Sequence, residues 1–165
     1  MRAKGEPSKS DENRFLREAI ALARANIGEG GRPFGAVLVR NGEVIAAAVN
    51  EIHSTNDPTS HAEMNAIRAA SRKLDSPDLS GCIVYASGHP CPMCMAAMRL
   101  SGVGKVFYAY SNEDGAPFGL STAAIYEDLA KPFTKQSMAI RYVPVRPEEQ
   151  ADLYAAWVEA QGRQE

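Results

Sequence analysis

The chain has 165 residues, 45% of them hydrophobic and 23% charged, the balance of one folded domain rather than a disordered chain. Eighteen basic residues against 20 acidic ones set a net charge of −2, so no basic excess marks a nucleic-acid surface. No apolar run nears the ~20 residues of a membrane span. The polar opening MRAKGEPSKSDENR does not read as a secretory leader. Three cysteines do not make a disulfide framework either, so a cytoplasmic protein with no membrane partner is expected.

Residues 1–10 read as a flexible tail and 11–165 as a single domain. Ser10 is placed to cap a first helix, with Asp11 and Glu12 in its first turn. Phe15, Ala19 and Leu22, beside Leu16, Ile20, Ala23 and Ile27, repeat at the helical period until Gly28, Gly30 and Gly31. Two apolar runs, 35–40 and 43–49, flank Asn41-Gly42 and predict a hairpin, because both turn residues must take positive φ. A polar stretch, 50–60, leads into a helix over 61–74. A strand over 82–87, a helix over 90–101 and a strand over 105–110 follow. A short helix over 122–131 precedes a last strand over 139–143. The final helix starts at Pro147 and carries Leu153, Tyr154, Trp157 and Val158 on one face. A hairpin followed by alternating helices and strands predicts an α/β fold. Its form is a three-layer αβα sandwich around a mixed sheet of about five strands.

Chemistry concentrates in Ser60-His61-Ala62-Glu63 and Pro90-Cys91-Pro92-Met93-Cys94. Imidazole and thiolate are ligands that zinc prefers, and Cys-x-x-Cys at a helix start puts two sulfurs on one face. The positive end of the helix dipole favours the thiolate form. One His and two Cys make three ligands, which leaves a coordination position for water, the catalytic arrangement rather than the structural one. Glu63, two residues from His61, is placed to handle that water's protons. Each piece also has a plainer reading. Cys-x-x-Cys alone fits a thioredoxin-like redox pair. Ser60 with Glu63 fits a capping box, and a lone histidine is usually a satisfied surface or core residue. The combination His-x-Glu, thirty residues from the histidine to the first cysteine, then Pro-Cys-x-x-Cys, favours a zinc hydrolase.

That combination is the signature of zinc nucleobase deaminases. The chain resembles the cytidine deaminase superfamily, and within it the small bacterial guanine deaminases, over about residues 15–158. The resemblance rests on Gly-Gly-Arg-Pro-Phe34-Gly-Ala-Val-Leu-Val, Asn41-Gly42, Asn56-Asp-Pro-Thr-Ser-His61-Ala-Glu63, Ala66-Ile-Arg68, Pro90-Cys-Pro-Met-Cys94, Val106-Phe-Tyr108 and Ala156-Trp157. It implies that His61, Cys91 and Cys94 hold one Zn2+ per chain. Water would be the co-substrate, adding to the amine-bearing carbon of a small heterocycle with release of ammonia, and Glu63 would shuttle the protons. Phe34 would stack on the ring, Asn50 would bond its edge, and the Ala62 N–H would be a further donor. A homodimer is implied as well.

Three departures bear on the substrate. His89 stands where those enzymes read Glu, and Leu120-Ser121-Thr122 stands where they read Phe-Asp-Asp. Both His89 and Ser121 are therefore candidate substrate contacts. The terminal tyrosine of some relatives is absent. Guanine, a related purine, a pterin, a triazine or a pyrimidine all remain candidate rings. Adenosine deamination in tRNA is an alternative with the same chemistry. It is disfavoured because residues 147–165 hold Glu148, Glu149, Asp152, Glu159 and Glu165 against Arg163 alone. A non-catalytic zinc or redox module is the third reading, and it has no use for Glu63.

Overall fold

In the computed structural model, which describes residues 7–147 and 152–162, Asn41 and Gly42 take φ of 52° and 80°. They close the expected hairpin between β1 (Gly35–Arg40) and β2 (Glu43–Val49), whose register shifts once, between Leu38 and Val39. The other edge of β1 pairs antiparallel with β3 (Cys82–Gly88), and β3 pairs parallel with β4 (Lys105–Tyr110). A parallel pair needs a crossover, and α4 (Pro92–Leu100) supplies it. The order is β2-β1-β3-β4.

The mixed sheet therefore has four strands among the described residues, where the sequence predicts about five. Residues 139–147 carry no regular structure. Ile140, Tyr142, Val143 and Val145 alternate there as a strand would, but all four are exposed and no ladder reaches them. Alternation supplies a face; a strand also needs a partner.

Helices cover both sheet faces. Strand β1 is central, so its residues alternate between two cores. Val37 and Val39 meet Phe15 and Ala19 of α1 (Lys9–Gly28), with Tyr85 stacked 5.0 Å from Phe15 and 5.3 Å from Phe107. On the opposite face Ala36, Leu38 and Val84 meet Ala62, Ala66 and Ala70 of α3 (Ala62–Leu74), together with Met98 of α4. Gly35 lets α1 lie this close. A Cβ built there would stand 2.4 Å from the Ala19 carbonyl oxygen.

Two helix starts differ from expectation. Ser8, not Ser10, caps α1: its hydroxyl accepts the Asp11 N–H at 3.1 Å, and the Asp11 carboxylate reaches back to the Ser8 N–H. Ser10 lies inside the helix because the reciprocal Ser8–Asp11 pair satisfies two orphan donors at once. The last helix, α7 (Leu153–Gln161), starts not at Pro147 but after Asp152, whose carboxylate accepts the N–H groups of Tyr154 and Ala155. Residues 1–6 of the expected tail lie outside the described residues.

By contacts the chain divides into two units, residues 1–130 and 131–165. The first holds the sheet and the helices up to α6 (Ala123–Leu129), including the short α2 (Ile52–Thr55) and α5 (Asn112–Gly115). The second holds a 3-10 turn, Phe133–Lys135, and α7. No helix among the described residues is long and apolar enough to cross a membrane.

Gly35→Ala should destabilise the fold by about 1–3 kcal/mol through overpacking against the α1 backbone. Gly42→Ala, where nothing lies within 4 Å but φ is positive, should cost about 1 kcal/mol. Urea denaturation would check the magnitudes and their order.

Candidate metal centre and active site

The loop that presents His61 is tied down by its own side chains. The Asp57 carboxylate accepts the Thr59 N–H at 2.8 Å and the Thr59 hydroxyl at 2.7 Å, and Arg68 of α3 donates to that hydroxyl at 3.1 Å. These bonds hold the Asp57 carboxyl below its ordinary range. His61 then stands as the N-cap of α3 in extended backbone. Ser60 makes no capping box with Glu63; its hydroxyl bonds the Asn65 amide instead. Glu63 is thereby free of helix capping.

Cys91 holds the same station at the next helix, the extended N-cap of α4, with Pro92 opening the first turn. Cys94 follows one turn later on the same face. Cys91 Sγ lies 3.4 Å from His61 Nδ1, Cys94 Sγ lies 3.6 Å from it, and the sulfurs are 3.5 Å apart. Ordinary Zn–S and Zn–N bonds on a tetrahedron put such atoms about 3.6–3.8 Å apart. One imidazole and two sulfurs at this spacing fit a zinc ion, and these three residues form a group able to hold a metal.

Charge in the cluster is unevenly shared. The contact with Cys94, and then that with His61, hold the Cys91 thiol down at about 4. The Cys94 thiol is pushed up by the same sulfur–sulfur bond and by burial. The bond to Cys91 raises the His61 pKa against the opposing effect of burial. Glu63 is 7% exposed, its Oε2 3.5 Å from Cys94 Sγ, and burial raises its carboxyl.

A cavity of about 180 Å3 opens beside this cluster. His61, Glu63 and Cys91 line it together with Phe34, Asn50, His89 and Ser121. Ala62 is fully buried and is not one of the walls. Phe34 lies against Gly88, where a Cβ would come within 2.9 Å of the ring. Asn50 accepts the Ile52 N–H on Oδ1 at 3.2 Å. The His89 ring packs 4.6 Å from Tyr108 and 5.6 Å from Tyr126, with its Nδ1 enclosed and unpartnered. Ser121 Oγ accepts the Ala123 N–H at 3.3 Å, and the Thr122 N–H donates to Asn112 Oδ1 at 3.0 Å.

Three residues that sequence reasoning passed over belong to this site. Arg32 lines the cavity. The Tyr126 hydroxyl donates to the Pro90 carbonyl, next to Cys91. Asn26, buried on α1, donates from Nδ2 to the Arg32 and Asn50 carbonyls, each at 2.8 Å. Asn26 did carry a signal. It continues the buried row of Ala19 and Ala23, where an amide must find partners.

Residues 9–110 match the model of the cytidine and deoxycytidylate deaminase zinc-binding region. The chain is 39% identical over 144 residues to the guanine deaminase of Bacillus subtilis, covering 87% of this chain and 91% of that protein. It is 35% identical over 140 residues to the tRNA-specific adenosine deaminase of Aquifex aeolicus, covering 84% and 88%. The crystal structure of the B. subtilis guanine deaminase superposes with a TM-score of 0.79 at 38% identity, over 89% of this chain and 93% of that one.

Cys91→Ser and His61→Ala should each weaken zinc binding beyond the about 10–100-fold typical of outer-shell changes, while Glu63→Gln keeps the metal. Metal analysis after dialysis would check this. Protons compete for the ligands, and a raised His61 pKa brings that competition in at higher pH. Zinc loss to a chelator should therefore grow as pH falls through neutrality.

Proposed function

Since the chain belongs to the cytidine and deoxycytidylate deaminase family and is a zinc-dependent hydrolytic deaminase, we propose that its substrate is an aminated nucleobase-like heterocycle: guanine or a related purine, pterin or triazine. Water and the ring's C–NH2 group become a keto carbon and ammonia. The observation that carries the reading is Glu63, a buried carboxylate opening onto a small cavity next to the three metal-binding side chains.

His61, Cys91 and Cys94 would hold Zn2+, which would supply the Lewis acidity that makes a water nucleophilic near neutral pH. Glu63 takes a proton from the attacking water and passes it to a ring nitrogen, then takes the proton of the hydroxyl now on the ring carbon and delivers it to the amine, which leaves as ammonia while the C=O forms. A carboxyl raised by burial suits this work, because a shuttle must both accept and release its proton near the operating pH. Phe34 stacks on the ring. Asn50, with Oδ1 committed to the Ile52 N–H, turns its Nδ2 donor to the ring edge. His89 and Ser121, also in the cavity walls, contact the ring. Adenosine deamination in tRNA shares this chemistry, but a C-terminal stretch rich in carboxylates does not suit a phosphate backbone.

The protein also acts as a homodimer in this reading. Phe133, Tyr142, Val145, Leu153, Tyr154 and Trp157 are all exposed in the second unit, an apolar density that a second copy would cover. Light scattering should return twice the 17.8 kDa chain mass, and a monomer would overturn the dimer.

The reaction is tested by ammonia release from zinc-loaded protein offered guanine, isoguanine, adenine, cytosine, pterin and aminotriazines. At least one ring should turn over. Glu63→Ala should retain zinc and lose about 10²–10⁴-fold in rate. Silence on every ring, or full activity in Glu63→Ala, would sink the reading.

A further inference from the structure

The polar groups open to the cavity are mostly donors. Asn50 is 2% exposed, and its amide is oriented by the bond from the Ile52 N–H, so Nδ2 is the group left for a ligand. Ser121 has one lone pair occupied by the Ala123 N–H, and its O–H is free to donate. Thr122 spends its N–H on Asn112. Among the described residues Glu63 is the only carboxylate in the walls, and it sits beside Cys94 with its proton work to do. Ser121 and Thr122 bring no charge.

Against this background stands one cation. The Arg32 guanidinium has no carboxylate partner among the described residues. Its backbone is nonetheless built in. The Arg32 carbonyl accepts from both Asn26 Nδ2 and the Phe34 N–H at 2.8 Å, and Gly31 lies so close to Asn26 that a Cβ there would collide with its amide. The second proton of the same Asn26 amide holds the Asn50 carbonyl. One buried side chain thus fixes the backbone at Arg32 and at Asn50 together, two residues that line the same cavity. Arg32 is exposed, yet its backbone is tied through this one amide to that of Asn50 across the cavity wall.

We propose that the heterocycle taken by this site carries an anionic acceptor, a carboxylate or a ring oxo group ionised near neutral pH, which pairs with Arg32 while Asn50 and Ser121 donate to the ring's acceptor edge. The inference rests on the deaminase reading above and narrows its substrate class. A guanidinium offers paired N–H donors in a plane, the geometry that a carboxylate matches two-to-two. A ring presenting only N–H and NH2 groups at this edge would leave those donors unmatched.

The test is binding, separated from turnover. Zinc-loaded Glu63→Gln protein is titrated calorimetrically with matched pairs, pterin against pterin-6-carboxylate and cytosine against cytosine-5-carboxylate. The same titrations are repeated with Arg32→Gln added. At least one carboxylate should bind about tenfold or more tightly than its neutral parent, with the advantage shrinking in salt and vanishing in Arg32→Gln. Arg32→Lys should keep part of it, since a point charge survives but the paired donors do not. Unchanged circular dichroism and melting temperature in Arg32→Gln exclude misfolding, because the structural bonds at position 32 come from the backbone. Equal binding within each pair, no binding by either member, or an advantage that survives Arg32→Gln overturns the proposal. Ammonia release that depends on Glu63 judges the underlying reading separately. Release with no anion preference removes this proposal alone, and anion preference without release removes the reading and leaves the subsite.

Discussion

The site depends on two side chains occupying the same station on different helices. His61 and Cys91 are both N-caps, in extended backbone, at the starts of α3 and α4. An N-cap residue normally uses its side chain to satisfy the first free N–H groups. Neither of these does, so the helix starts keep their positive potential while the side chains turn to each other. That potential favours thiolate over thiol and anion over neutral ligand. Because α3 packs against β1 and β2 and α4 follows β3, closing the sheet is what brings the two stations together.

Packing around the cluster then divides the ionisation. The sulfur–sulfur contact holds the Cys91 thiol down and pushes the Cys94 thiol up, while Glu63 sits 3.5 Å from Cys94 in nearly complete burial. Like charges this close disfavour each other, so without a cation the group holds fewer negative charges than it has acids. A divalent ion reverses that balance and allows both sulfurs to ionise. Three acids and one imidazole in a dry corner are a poor arrangement for stability alone. They are sensible beside a metal.

Much of this was legible because the signals were local. Asn41-Gly42 demands its turn, the Phe15–Ala19–Ala23 row demands a buried helix face, and His-x-Glu with Pro-Cys-x-x-Cys demands a zinc ligand set. Long-range choices were not legible. Whether Ser8 or Ser10 caps α1 depends on the reach of Asp11, and whether Ser60 bonds Glu63 or Asn65 depends on where the loop from Asn50 has been carried. The run around Tyr142 alternates like a strand, yet a strand requires a neighbour that its own residues cannot specify. Arg32 carries no local signal because what fixes its backbone, the Asn26 amide, lies six residues earlier on a different element.

Tyr126 joins parts of the molecule with different duties. Its phenol is bonded to the carbonyl that immediately precedes Cys91, and its helix begins directly after the Ser121–Thr122 wall of the cavity. The turn that carries the metal ligand and the loop that walls the ring's space are therefore fastened at one seam. For anyone exchanging parts between relatives, this divides the chain into a replaceable module and a retained joint. Residues 119–122 can be rewritten to suit a new ring, but position 126 must keep a hydroxyl of the same reach, or a change meant for specificity will loosen the metal's footing as well.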